Sequence, residues 1–155
     1  MTSTLQREIK QSRPFNSLEQ EAMLSIERTS ALLLHRTAET FKPFGITQTQ
    51  YNVLRILRGA GSDGLCRNDI RERLISQVPD VTRLLDRMEE AGLIVRERDA
   101  ADRRVVTTRI TKQGLTLLDQ VAEPVLASHR RALGHMSATQ LESLLELLSL
   151  ARATP

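Results

Sequence analysis

The stretch DVTRLLDRMEEAGLIVRERDAADRRVVTTRITKQG, Asp80 to Gly114, decides how this chain is read. Its first third has helical periodicity. At about 100° per residue, Val81, Leu84, Leu85 and Met88 gather on one side, while Thr82, Arg83, Asp86 and Arg87 fall on the other, with Arg83 and Arg87 one turn apart. Gly92 closes the helix. Pro79, tolerable only in a first turn, is expected to fix where the helix begins. Two extended runs follow, Leu93 to Arg98 and Val105 to Ile110, the second rich in Val and Thr. Between them lies DAADRR, so RERDAADRRVV (Arg96 to Val106) is a hairpin tip holding four arginines and three carboxylates.

Upstream, Ser76-Gln77-Val78-Pro79 separates this helix from another, Cys66 to Leu74, with Ile70 and Leu74 inward. The cluster GAGSDG, Gly59 to Gly64, ends a preceding helix that opens with the capping-box pair Thr47 and Gln50 and turns Val53, Leu54 and Leu57 inward. Before Pro43-Phe44-Gly45 runs a long helix, capped by Ser17 and Gln20, with Leu18, Ala22, Ile26, Leu33, Thr37 and Phe41 near one face. Residues 1 to 16 read as a loose polar arm with a short helical piece. Downstream, a helix from about Thr111 to Gly134 directs Leu115, Leu118 and Val121 inward, and Pro124 is expected to kink or divide it. Ser137 and Gln140 cap a last helix in which Leu141, Leu144, Leu145, Leu147, Leu148 and Leu150 spread over more of the circumference than one packing surface needs.

The order helix, helix, helix, hairpin is that of a winged helix-turn-helix. The fold class is therefore mainly α with a small β-hairpin (α+β). A short helix with an arginine-bearing face, preceded by the small polar residues Ser76 and Gln77, suits entry into a major groove. The plain alternative is a solvated surface helix carrying Arg83–Asp86 or Arg87–Glu90 ion pairs. The hairpin favours the first reading. Asp99 and Asp102 lie beside Arg96, Arg98, Arg103 and Arg104, where carboxylates can orient arginines, and an oriented arginine is worth more at a phosphate or in a narrow minor groove. Of the 22 basic residues only Lys10, Lys42 and Lys112 are lysines, leaving 19 arginines whose planar forks suit phosphate and guanine.

The segment Asp80 to Gly114 resembles the MarR family of bacterial transcription regulators, whose wing signature is matched by Arg96, Asp102, Arg104, Ile110, Thr111 and Gly114. The resemblance extends to the long first helix and the two terminal helices. It implies a homodimer joined through helices at 17–42 and 111–153, with the DNA-binding lobe at 47–110, reading a pseudo-palindromic operator on double-stranded DNA. It places Ser76, Gln77, Thr82, Arg83 and Arg87 toward the groove, and Arg98, Arg103 and Arg104 toward the backbone or minor groove, with Asp102 bracing one of them. It also implies a repressor released by a small aromatic or anionic effector, bound near His35, Tyr51 and Arg55.

Other functions find less support. No glycine-rich phosphate loop, HExxH or paired CxxC occurs, and His35, His129 and His135 share no ligand spacing with a cysteine, so no enzyme, metal or cofactor is expected. Cys66 stands where Ser or Thr would cap a helix, and a helix N-terminus can activate a thiol, which leaves a redox-responsive regulator as an alternative. A winged module that docks on protein without DNA is the other. The polar opening MTSTLQREIK and the short aliphatic runs lead us to expect a cytoplasmic protein with no membrane partner.

Overall fold

The structure, a computed structural model, describes residues 3–98, 102 and 104–153. Arg103, expected in the wing, and Asp99 lie outside the described residues. Seven α-helices and a three-stranded antiparallel sheet are seen among those described: α1 Thr4–Glu8, α2 Leu18–Phe41, α3 Gln48–Ala60, β1 Leu65–Cys66, α4 Arg67–Arg73, α5 Val81–Glu90, β2 Ile94–Arg98, β3 Val106–Ile110, α6 Lys112–Leu133 and α7 Ala138–Arg152. The sheet order is β1-β3-β2, and the hairpin register sets Arg96 opposite Thr108 and Arg98 opposite Val106.

Helix starts follow the capping chemistry. Thr47 with Gln50 and Ser137 with Gln140 form complete capping boxes, and the Ser17 hydroxyl accepts from the Gln20 amide. Each such cap is worth about 1 kcal/mol. Asp80 caps α5 through its side chain, which accepts from the Arg83 amide at 2.9 Å. Pro79 therefore precedes the cap and lies outside the helix, because a stronger side-chain acceptor follows it. At the other end Gly92, with φ +72°, lets the Gly92 and Leu93 amides bond back to the Glu89 and Met88 carbonyls at 2.9 and 3.0 Å. That left-handed closure turns Leu93 into the core and starts β2.

The core lies between α3, α5, the sheet and α6. Val53, Leu54, Leu57, Ile70, Leu85, Met88, Ile94, Leu118 and Val121 are all essentially inaccessible. Leu74 is only half-buried and Leu115 is exposed; Gly114 and Val125 take inward places on α6 instead. Residue 114 must be glycine for space. A Cβ there would overlap the Leu93 carbonyl and sit 2.8 Å from Ile110 Cγ1. Thr111 completes this junction, its hydroxyl donating to the Gly92 carbonyl at 2.6 Å and accepting from the Gly114 amide at 3.1 Å. The Ile-Thr-x-x-Gly run thus ties the end of α5, the end of β3 and the start of α6 together.

The structure differs from the sequence reading in further places. The two-residue β1, too short to leave a pattern, adds a third strand to the hairpin. Pro124 sits inside α6 without dividing it. On α2 only Thr37 and Phe41 are buried, while Leu18 and Ile26 are 82% and 40% exposed. Among the described residues of one chain, the N-terminal part of that face, from Leu18 to Ile26, is left exposed.

Candidate nucleic-acid interface

Helix α5 presents the expected face. Val81, Leu85 and Met88 anchor it in the core, and Thr82, Arg83 and Arg87 stand outside it. Among the described residues neither Arg83 nor Arg87 has an ion-pair or side-chain hydrogen-bond partner, so the Arg83–Asp86 and Arg87–Glu90 pairs of the solvated-helix reading are not formed. Ser76 and Gln77 are exposed in the loop that leads into α5. The start of that loop is held by Asn52, whose side-chain oxygen accepts from the Ile75 amide at 3.0 Å.

Asp86 departs from the expectation. It faces β2 and pairs with Arg96 at 2.6 Å. Glu89, one turn further on, takes Nε and Nη2 of the same guanidinium at 2.9 and 2.6 Å, and its other oxygen accepts the Arg96 main-chain amide at 2.9 Å. Arg96 is therefore oriented by α5. The guanidinium's hydrogen bonds hold the Glu89 carboxyl below its usual range, and Glu89 in turn holds Arg96 above its own.

Arg98 and Arg104 are exposed, and the Asp102 carboxylate accepts the Arg104 amide at 3.0 Å, which shapes the turn. On the outer face of the sheet Arg109 bonds to Glu97 at 2.9 Å and to the Ser62 carbonyl at 2.6 Å, fixing the hairpin to the loop after α3. A cleft of about 560 Å³ runs between the wing and the two motif helices, with Arg67, Thr82, Arg96 and Arg104 on its walls. Arg67 was missed in the sequence: from α4 it donates to the Thr82 hydroxyl at 3.2 Å, and Arg71 is exposed one turn along the same helix. The i, i+4 spacing of these two arginines was the available signal.

A separate cavity of about 80 Å³ lies where α2, α3 and α6 meet. Tyr51 and Arg55 line it, the guanidinium 6.0 Å from the Tyr51 ring centre and the ring 5.1 Å from that of Phe41. His35 does not: it is exposed on α2, outside the wall to which that helix contributes Thr37 and Thr40. His129, Gln48 and Asn52 take polar places on the wall instead. Cys66 caps α4 without a side-chain bond to the helix backbone, and its thiol donates to Asp69 at 3.1 Å.

Comparison with known proteins bears on this arrangement. The sequence model of the MarR family matches residues 46–106, from the buried Ile46 to the first residue of β3. A MarR transcription factor from Planctomyces limnophilus, known from its crystal structure, is 41% identical, with 88% of this chain and 99% of that one covered and a TM-score of 0.69. The chain belongs to the MarR family. This MarR regulator is also 29% identical to YkoM of Bacillus subtilis, an HTH-type transcriptional regulator, over 88% of its own length and 90% of the relative. It matches S. aureus MepR, whose structure was determined in complex with DNA, at 25% identity and a TM-score of 0.71, with 89% and 97% of the chains covered. The MarR chain is thus a DNA-binding transcription regulator and not an enzyme. Among its described residues no helix is long and apolar enough to cross a membrane.

Proposed function

We propose that this MarR regulator is a homodimeric repressor that reads a pseudo-palindromic operator and is released by a small aromatic or anionic effector. The observation that carries the DNA part is α5, packed by one face and offering on the other Thr82 with Arg83 and Arg87, unpaired among the described residues, beside a wing that offers Arg98 and Arg104. Ser76, Gln77, Thr82, Arg83 and Arg87 read or flank the major groove; Arg98, Arg103 and Arg104, shaped by Asp102, reach the backbone or minor groove. MepR, bound to DNA, is the relative that supports this docking.

Pairing of two chains is supported by apolar surface. Leu145, Leu147 and Leu150 are 63–67% exposed, and no residue of α7 is buried within its own chain. A second copy covers these leucines together with Met23, Ile26 and Leu34 of α2, which are likewise exposed. The effector belongs in the α2–α3–α6 cavity, where Phe41, Tyr51 and Val125 supply apolar wall and Arg55 a cation. Redox control through Cys66 is the weaker reading, since its thiol is engaged by a carboxylate and the residue lies on the DNA side of the molecule, away from that cavity. The test is an anisotropy titration against the DNA upstream of the chain's own gene, with scrambled duplex as control at fixed salt. Sequence-dependent binding by a dimer, weakened by an aromatic carboxylate, supports the reading. Equal affinity for both duplexes, with none better found by random-site selection, sinks the operator.

A further inference from the structure

We infer that Arg96 is a positioning residue of the DNA-reading surface: its fork onto Asp86 and Glu89 sets the attitude of the wing to α5, and it does not itself touch DNA. The inference rests on the DNA-binding reading for one of its two readouts. Arginine in a wing is ordinarily taken for a phosphate contact, and Arg83, Arg98 and Arg104 have the exposure that role needs. Arg96 is placed differently. Its side chain is 23% exposed, and Nε and Nη2 are spent on two carboxylates three residues apart on one flank of α5.

The geometry ties backbone as well as side chain. Glu89 Oε1 holds the Arg96 amide while Glu89 Oε2 holds its guanidinium, so neither a slide nor a roll of β2 against α5 leaves both bonds intact. Because the guanidinium is planar and its donors have fixed directions, the bonds define an angle as well as a distance. Two residues later the strand reaches Arg98 and the wing, so an angular error at Arg96 becomes a displacement at the tip. The charges point the same way. One cation against two carboxylates leaves the cluster net negative beside a surface that must accept phosphate, which no phosphate contact would favour.

Positioning and direct contact predict opposite signs. Glu89→Gln removes a negative charge near DNA, so if Arg96 is a phosphate contact the variant binds tighter; if Arg96 is a strut it binds more weakly. The probe is a duplex recovered by random-site selection with the unmutated full chain, compared with a scrambled duplex of equal length across a series of salt concentrations. We expect Glu89→Gln and Arg96→Met each to weaken binding to the selected duplex about ten-fold, comparable to the discrimination that one bidentate pairing with a base supplies. Binding to scrambled duplex and the salt slope stay unchanged, and the double variant is no worse than either single one. A slope shallower by about one per protomer in Arg96→Met, tighter binding by Glu89→Gln, or equal losses on both duplexes would overturn the inference. A second readout needs no DNA. With spin labels at Glu90 and Val105 in a Cys66→Ser background, the distance distribution should broaden when Glu89→Gln is added; an unchanged distribution sinks the strut. Failure of the selection to yield any preferred duplex counts against the DNA reading and leaves this distance test standing. Arg96→Lys keeps the charge without the fork and should not rescue.

Discussion

Arg83 and Arg96 carry the same charge and are bonded in opposite ways. The first has no side-chain partner among the described residues and is free to meet a base edge; the second is gripped by two carboxylates. Replacing Arg83 with Ala should therefore cost roughly 1–3 kcal/mol on the specific site and little on random DNA; equal losses would make it a phosphate contact. Glu89 brings a pH dependence. Its carboxyl is held below the ordinary 4.5, chiefly by the Arg96 hydrogen bond, so its contribution to stability is fully present above that value and is lost as pH falls through the lowered one. Urea midpoints of the natural chain and Glu89→Gln should thus differ near neutrality and converge as the solution is acidified past that range. A constant difference would mean that the carboxylate charge contributes nothing. At this scale the sequence was readable where a side chain points to solvent. It was silent on Asp86, since periodicity gives a helix face but not which strand lies against its flank.

The elements were legible wherever a terminus carries its own chemistry. Capping pairs at Thr47–Gln50 and Ser137–Gln140, and the glycine after Glu90-Ala91, mark boundaries by local hydrogen bonding, and the structure places helix ends there. Non-local features left no such mark. Strand β1 exists because Leu65 and Cys66 meet Thr108 and Thr107 of β3, a pairing between segments far apart in the chain. The cavity wall was half readable for the same reason: Tyr51 and Arg55 share α3 with the core residues, whereas His129 arrives from α6. Gly114 is the element-scale position most open to test. Gly114→Ala should lower stability by roughly 1–3 kcal/mol, because the new methyl overlaps the Leu93 main-chain carbonyl and crowds Ile110, so backbone has to shift to admit it. A denaturation midpoint like that of the natural chain would show that the α5–β3–α6 junction can relax.

For the whole molecule the informative surface is the uncovered one. A single chain leaves α7 without a buried residue and much of α2 exposed. In the proposed dimer Leu145→Glu with Leu150→Glu places like charges in the contact, so sedimentation should show a monomer. Affinity for a two-fold site should fall roughly 10²-fold or more, as two linked half-site contacts become one; a variant that stays dimeric would move the contact elsewhere. This much the leucine pattern already suggested, since its width exceeds what one chain can cover.

The stitch at Thr111 has a consequence for operator grammar. One residue separates the last of β3 from the first of α6, and its hydroxyl is bonded at both ends. One residue leaves little slack between the hairpin and the helix assigned to pairing, so the proposed dimer should hold its two reading heads at one pitch. Each added base pair shifts one half-site by about 3.4 Å along the axis and turns it about 34–36° around the duplex. The regulator should therefore reject an operator lengthened by a single central base pair as firmly as one with a wrong base, spelling its site by spacing as well as by letters.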